Sequence, residues 1–401
     1  MLNIAILGAL WSQIIAIGLT VLLLLIITAY NYKDRLYWKI LGSRMIFAFM
    51  PSLLLLLSMV IKGDYVLLYL TIIIIFFEVA ILSMLASVAE FAKSFVIVVF
   101  FLAAYSLIVN YVARSAVFAY LPDCMDFINT SGYHFMNLIF SNMMDLSYYF
   151  RNYGIFREPG QYAFIILIAL ASNLFVLKKN KYRLVISIVL ILSMLSTFSP
   201  TGVVSMALLL LAYIIYSSKE FFSQSHALRK LVIPTVSIFI IMSGVSIFVL
   251  SNENLSATFT TSATKVFDPK SESSNARSDA VLADVKMIID SPLVGNKSVN
   301  VFKETKDNTF TPGIILAIFG LIVGSVIYAL WWSFTVDIIG KKHFVVIMIV
   351  STSIFIGVST QNVVTEMFFY ILPLMAYYDK SDEATPIINY IKSKIAKRRF
   401  I

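Results

Sequence analysis

The sequence has little of what a disulfide framework, a metal centre or a solvated surface requires. Its 401 residues include one cysteine and three histidines. A lone Cys124 excludes an intrachain disulfide and any cysteine-rich metal site, and reads as an incidental thiol. His134, His226 and His343 fall in separate loops, so no zinc cluster is expected. Charge is scarce too: 13% of residues are charged and 60% are hydrophobic. A soluble chain of this length would lack the polar surface to cover so much apolar area. Motifs are missing as well. There is no Walker A sequence, no GxGxxG and no Gly-x-Ser-x-Gly, nor an Asp-x-Asp pair to hold a divalent metal against a nucleotide phosphate. An ATP-driven pump and a nucleotide-sugar transferase both lose ground. Any glycosyl or phosphoryl chemistry would then use arginines in place of metal, and no cofactor is expected.

What is present is a series of long apolar runs, each close to the roughly 20 residues that cross a bilayer as a helix. They predict an all-α polytopic membrane protein with spans at 6–29, 43–61, 65–88, 94–113, 160–177, 184–199, 201–217, 231–250, 312–334, 344–358 and 361–378. The first run is too long for a signal-peptide core and lacks a basic start, so it reads as a retained span.

The net charge of +9 would suit nucleic acid, but its distribution does not. Of the 31 Lys and Arg, 20 fall in alternate loops and the tail, with Lys178-Lys179-Asn180-Lys181-Tyr182-Arg183 the densest cluster. The positive-inside rule puts those loops and the C-terminus in the cytoplasm. With eleven spans the N-terminus lies outside; one further span would place it inside. The organisation expected is N-terminal spans in 1–113, a first large outer loop at 114–159, central spans in 160–250, a second outer loop at 251–311, C-terminal spans in 312–378 and a basic tail at 379–401. The tail suits an anionic inner leaflet. Membrane lipids are therefore expected partners and nucleic acid is not.

Candidate chemistry crowds the outer side. Arg151 to Gly160 packs Arg151, Arg157, Glu158 and two glycines ahead of a span, with Pro159 in the first turn. A helix start favours anions, and arginine forks match phosphate oxygens. A headgroup anchor with a local Arg–Glu pair would use the same residues. The second loop carries an amphipathic helix near 278–290, with Val281, Val285, Ile288 and Ile289 on one stripe and Pro292 as its stop. Arg277 at its start serves either as a local ion-pair partner or as part of an arginine cluster. Asp307 and Asn308 precede the span at 312; an acid there suits a general base, and equally a helix cap. Glu366, with Gln361, Asn362 and Thr365, gives the last span a polar outer half, and Glu78 lies mid-span. Ser199-Pro200-Thr201-Gly202 predicts a tight outer turn, and Gly320-x-x-x-Gly324 a close-packing motif.

These pieces resemble, in order, the Wzy-type O-antigen polymerases of the polymerase and ligase superfamily. Phe156-Arg157-Glu158-Pro159-Gly160 is similar to their outer-loop motif, and Thr197-Phe198-Ser199-Pro200-Thr201-Gly202 to a Thr-x-Ser-x-x-Gly turn. Arg277, the helix, Pro292-Leu293-Val294-Gly295, Asp307-Asn308 and Gly320 resemble the second-loop pattern. The resemblance covers residues 151 to about 330. It implies a GT-C glycosyltransferase in a bacterial inner membrane, polymerising undecaprenyl-pyrophosphate-linked repeat units at the periplasmic face. It further implies a chain-length regulator membrane protein as partner. Substrate binding then falls to Arg151, Arg157, Gly160, Arg277, Asn308 and Glu366, and proton transfer to Glu158 or Asp307. Asp307 stands where ligases carry histidine, which disfavours a ligase. The Arg-x10-Gly spacing of some polymerases is absent. A transporter of lipid-linked oligosaccharide is the alternative from another class.

Overall fold

The computed structural model describes residues 35–64, 67–112, 126–128, 134–137, 141–144, 151–156, 158–177, 181–221, 272–304, 309–359 and 361–379, with scattered positions from 18 to 33. Most of the expected span 6–29, all of 231–250 and the basic tail after 379 lie outside them. Among the described residues, six helices are long and apolar enough to cross a membrane. They are α1 (Arg35–Lys62), α2 (Leu67–Leu85), α3 (Val88–Leu107), α4 (Pro159–Ala171), α6 (Pro200–Phe221) and α9 (Thr311–Ile339). Helix α3 continues through a π-helical turn at Ile108–Val112, and α4 through another at Ser172–Val176. Helices α5 (Arg183–Ser196) and α10 (Phe344–Val358) are shorter and also apolar. The chain is thus a membrane-embedded, polytopic helical protein.

Four features refine the expectations. First, the helical architecture carries one small addition: within loop 114–159 lies an antiparallel sheet of β1 (Asp126–Ile128), β2 (His134–Asn137) and β3 (Asn142–Met144). Its register sets Phe127 opposite Phe135, and Phe135 opposite Met144; aromatic cross-strand rungs of this kind favour pairing. Second, the expected span 361–378 is helical only from Met367, as α11 (Met367–Asp379), and residues 361–366 are not helical. The Val363 N–H donates to Thr311 Oγ1 at 3.0 Å, an outside partner in place of a helical carbonyl. Third, helix α7 runs from Glu272 to Asp290, so Arg277 lies inside it and not at its start. Fourth, Gly320 does not pack a smooth helix: it breaks α9 at φ 68°, ψ −178°. Only glycine adopts that conformation readily.

The chain divides into two compact units. One holds Phe95–Ala276 and Ile339–Gln361. Its centre is α4, where every residue from Tyr162 to Ala171 is buried. Helices α5, α6 and α10 surround it. Small residues allow the approach: a Cβ on Gly202 would stand 2.9 Å from Ala163 Cβ, and one on Gly357 would stand 2.6 Å from Leu167 Cδ2. Ser353 Oγ donates to the Ser205 carbonyl at 2.7 Å, tying α10 to α6.

The other unit holds Ile6–Ser94, Arg277–Ile338 and Asn362–Ile401. Helix α2 packs on α1 and α11. Edge-to-face ring pairs Tyr69–Phe319 and Phe76–Tyr370 fill the contacts of α2. The buried Arg44 of α1 lies in the electrostatic reach of Asp379, whose carboxylate also accepts the Val88 N–H at 2.8 Å. A buried guanidinium needs such a counter-charge.

Candidate functional site

The arginine-bearing stretch is held by its own backbone and by neighbouring carbonyls. Arg151 Nε donates to Thr197 O at 3.0 Å, and Nη2 donates to Phe198 O at 3.3 Å. Phe198 has φ 46°, a left-handed conformation that costs a non-glycine residue roughly 1–2 kcal/mol. The arginine fork grips the two carbonyls of this turn. Part of its donor set, expected to meet phosphate, therefore serves the fold.

Asn152 is the knot beside it. Its side-chain amide donates to Ser106 Oγ at 3.0 Å and to Ser196 Oγ at 2.9 Å. Its backbone N–H donates to Ser196 O, and its Oδ1 accepts the Gly154 N–H. Tyr162 Oη lies 2.9 Å from Ser106 Oγ and 3.0 Å from Ser193 Oγ. Buried hydroxyls and amides of α3, α4 and α5 thus fasten the loop to the bundle, where each unmet polar group would be costly. Gly154, at φ +52°, turns the chain where a Cβ would lie 2.7 Å from the Tyr162 ring.

Beyond this clamp, Glu158 is exposed, is the N-terminal cap residue of α4 and makes no side-chain cap bond. Pro159 opens the helix as the sequence predicts. Gly160 is buried, and a Cβ there would fall on the Gln361 amide. The Ser199 turn is resolved into ordinary parts. Ser199 O accepts the Val203 N–H at 3.0 Å, Ser199 Oγ accepts the Gly202 N–H at 3.4 Å, and Pro200 begins α6.

In the second unit the start of α9 collects polar groups. Thr311 is fully buried and accepts from Val363; Tyr328 Oη donates to Pro312 O at 2.9 Å. Asp284 of α7 is fully buried, and its Oδ2 occupies the space that a Cβ on Gly313 would need. A carboxylate against a first helical turn is favoured by the helix dipole. Glu366 is half-buried just ahead of α11, and its carbonyl accepts the Phe369 N–H at 3.0 Å. Arg277 occupies a position seven residues before Asp284, two turns back on the same helical face. Arg157, Asp307 and Asn308 lie outside the described residues.

Reading the sequence missed three things here. One is the burial of Asp284, to which the stripe of Val281, Val285, Ile288 and Ile289 did not point. Its signal was the offset from Ala280, since both share a face opposite Leu282, Val285 and Ile289. Asn152 carried no signal beyond lying next to an arginine. The break at Gly320 was masked by a Gly-x-x-x-Gly pattern that also suits smooth packing. Among the described residues, no three His, Cys, Asp or Glu side chains come together as a metal would require.

Comparison with protein-family models, with curated proteins and with solved structures finds no match to this chain.

Proposed function

We propose that the chain is a glycosyltransferase of the GT-C type that polymerises lipid-diphosphate-linked oligosaccharide repeat units at the outer face of a bacterial inner membrane. The reading rests on the order in which the arginine motif at 151–160, the Thr197–Gly202 turn, Arg277 with its helix, and Asp307-Asn308 follow one another. In the reaction, the bond from the donor sugar C1 to the diphosphate oxygen breaks. A bond from C1 to an acceptor hydroxyl oxygen forms, and that hydroxyl gives its proton to a carboxylate, Glu158 or Asp307. Arg157 and Arg277 hold the departing diphosphate by preorganised charge. Arg151 orders the segment that presents Arg157.

The break in α9 gives the transporter reading one point of support, because discontinuous membrane helices often frame transport sites. Here the groups freed at the break are met by backbone and by Lys62, which favours the enzyme. The test is complementation of a strain lacking the gene. Lipopolysaccharide from Arg157→Ala or Arg277→Ala cells should collapse to a single-repeat band. A normal ladder from both sinks the assignment, and a ladder made from lipid-linked repeat units by purified protein in detergent decides against a transporter.

A further inference from the structure

Helix α7 and the chain that follows it were expected within the second outer loop, as an amphipathic helix and its stop. Their hydrogen bonds reach further. At the break in α9, the Leu321 N–H donates to Pro292 O at 2.8 Å and the Ile322 N–H to Leu293 O at 3.3 Å. The Asn296 N–H donates to Ala317 O at 2.7 Å, and Asn296 Nδ2 donates to Met287 O. Pro292 to Asn296 therefore splint the broken helix. Gly320 is nine residues into α9, so at 1.5 Å per residue the splint sits roughly 13 Å along it from Thr311. A segment bonded that far along a membrane-crossing helix is not in bulk water.

The surfaces agree with that depth. Helix α7 has two faces. Ala280 and Asp284 are buried, whereas Leu282, Val285 and Ile289 are 66%, 46% and 71% exposed. Leu293 is 59% exposed, and of the α9 residues bonded to this segment Leu321 and Ile322 are exposed as well, whereas Ala317 is buried. Val299 and Phe302 extend the surface through α8 (Ser298–Glu304). Exposed apolar residues of α7 and α8 are thus joined through Leu293 to the exposed side of a membrane helix at Ile322. Lys286, Lys297 and Lys303 are exposed along the same stretch, where long cationic stems reach headgroup phosphates.

We propose that residues 280–304 are seated in the outer leaflet, with lipid acyl chains as the occupant of the face formed by Leu282, Val285, Ile289, Leu293, Val299 and Phe302. A soluble partner would meet a surface already fused to a lipid-facing helix. A second copy would have to displace lipid along α9. The seat places α7, and position 277 on it, at the depth of a lipid-linked substrate. It does not depend on that substrate.

The experiment uses the full chain with Cys124→Ala and one new cysteine at a time: Leu282→Cys, Val285→Cys, Ile289→Cys or Leu293→Cys, with Lys286→Cys as reference. Each is labelled with an environment-sensitive fluorophore in phosphatidylethanolamine–phosphatidylglycerol vesicles. Doxyl-lipid should quench the four apolar positions several-fold more than Lys286→Cys, and iodide should show the reverse order. Equal iodide access at all five overturns the proposal, as does excimer formation between labels on two copies. On the unaltered protein, an acyl-chain photo-crosslinker should mark peptides within 280–304. Crosslinks confined to other helices overturn it too. Neither readout measures glycan transfer, so the seat and the polymerase reading fail separately.

Discussion

Asp284 and Gly313 fit together as carboxylate and socket: the Oδ2 of Asp284 fills the volume a side chain at 313 would take. This contact docks α7 onto the first turn of α9. Asp284→Ala should lower stability by about 1–2 kcal/mol, from the lost interaction of the carboxylate with the helix dipole. Asp284→Asn should retain part of it. Gly313→Ala should behave like Asp284→Ala, because it expels the carboxylate. Thermal melts of detergent-purified protein measure all three.

The Gly320 break should tolerate almost nothing. A Cβ there would strike the Leu293 carbonyl, and φ +68° is strained for any other residue. Gly320→Ala should cost at least about 2 kcal/mol from conformation and lost splint bonds together. Gly324→Ala should be milder, since the one close contact of a Cβ at 324 is the Leu316 side-chain tip, at 2.7 Å, and its other neighbours are side-chain atoms at 3.6 Å or more. Size-exclusion profiles after heating distinguish the pair, and equal behaviour contradicts the splint.

Arg151→Lys should not substitute for arginine. A lysine ammonium lacks the planar fork that reaches Thr197 O and Phe198 O together. Loss of charge-assisted bonds to two carbonyls should cost about 1–3 kcal/mol. Asn152→Ala should loosen the same segment by removing its bonds to Ser106 and Ser196. In the complementation assay for the proposed function, both variants should give shorter glycan chains while a folded fraction survives. A variant with full melting temperature and no ladder would move Arg151 from ordering the loop to binding substrate.

Gly160 and Gln361 should show strong coupling. Gly160→Ala drives a methyl into the Gln361 amide. Gln361→Ala empties that space, so the double variant should recover part of the single variant's loss, with an interaction energy of about 0.5–3 kcal/mol. Strict additivity of the two melting shifts overturns the contact.

Much of the membrane architecture was legible in the sequence, because a span announces itself by an apolar run of bilayer length. The start of α4 was legible for a local reason, because Pro159 marks a first helical turn; at Ser199-Pro200 the sequence announced a turn, and the structure adds that Pro200 opens α6. Other features depend on partners distant in the chain. Residues 361–366 read as helix by hydropathy, yet Val363 bonds to Thr311, 52 positions away. Phe198 holds a left-handed turn with Arg151 gripping its carbonyl from 47 positions away. The β-sheet was hidden in a loop whose aromatics signalled only burial. The bonds of Arg151 to Thr197 and Phe198 were not legible, because one fork serves carbonyls as well as phosphates, and no composition rule distinguishes them.

The break in α9 bears on how the protein is made. Hydrocarbon offers no hydrogen bonds, so a helix with an opened backbone cannot wait in lipid for its neighbours. Its missing partners are Pro292 to Asn296, translated just before it, and Lys62, which donates to Ile318 O from the end of α1. Insertion of α9 and docking of the preceding segment must then be one event, completed against a hairpin already in the membrane. A ribosome stalled after Ile339 should already carry the splint, whereas a chain deleted for residues 290–297 should leave α9 exposed to the membrane's quality-control proteases.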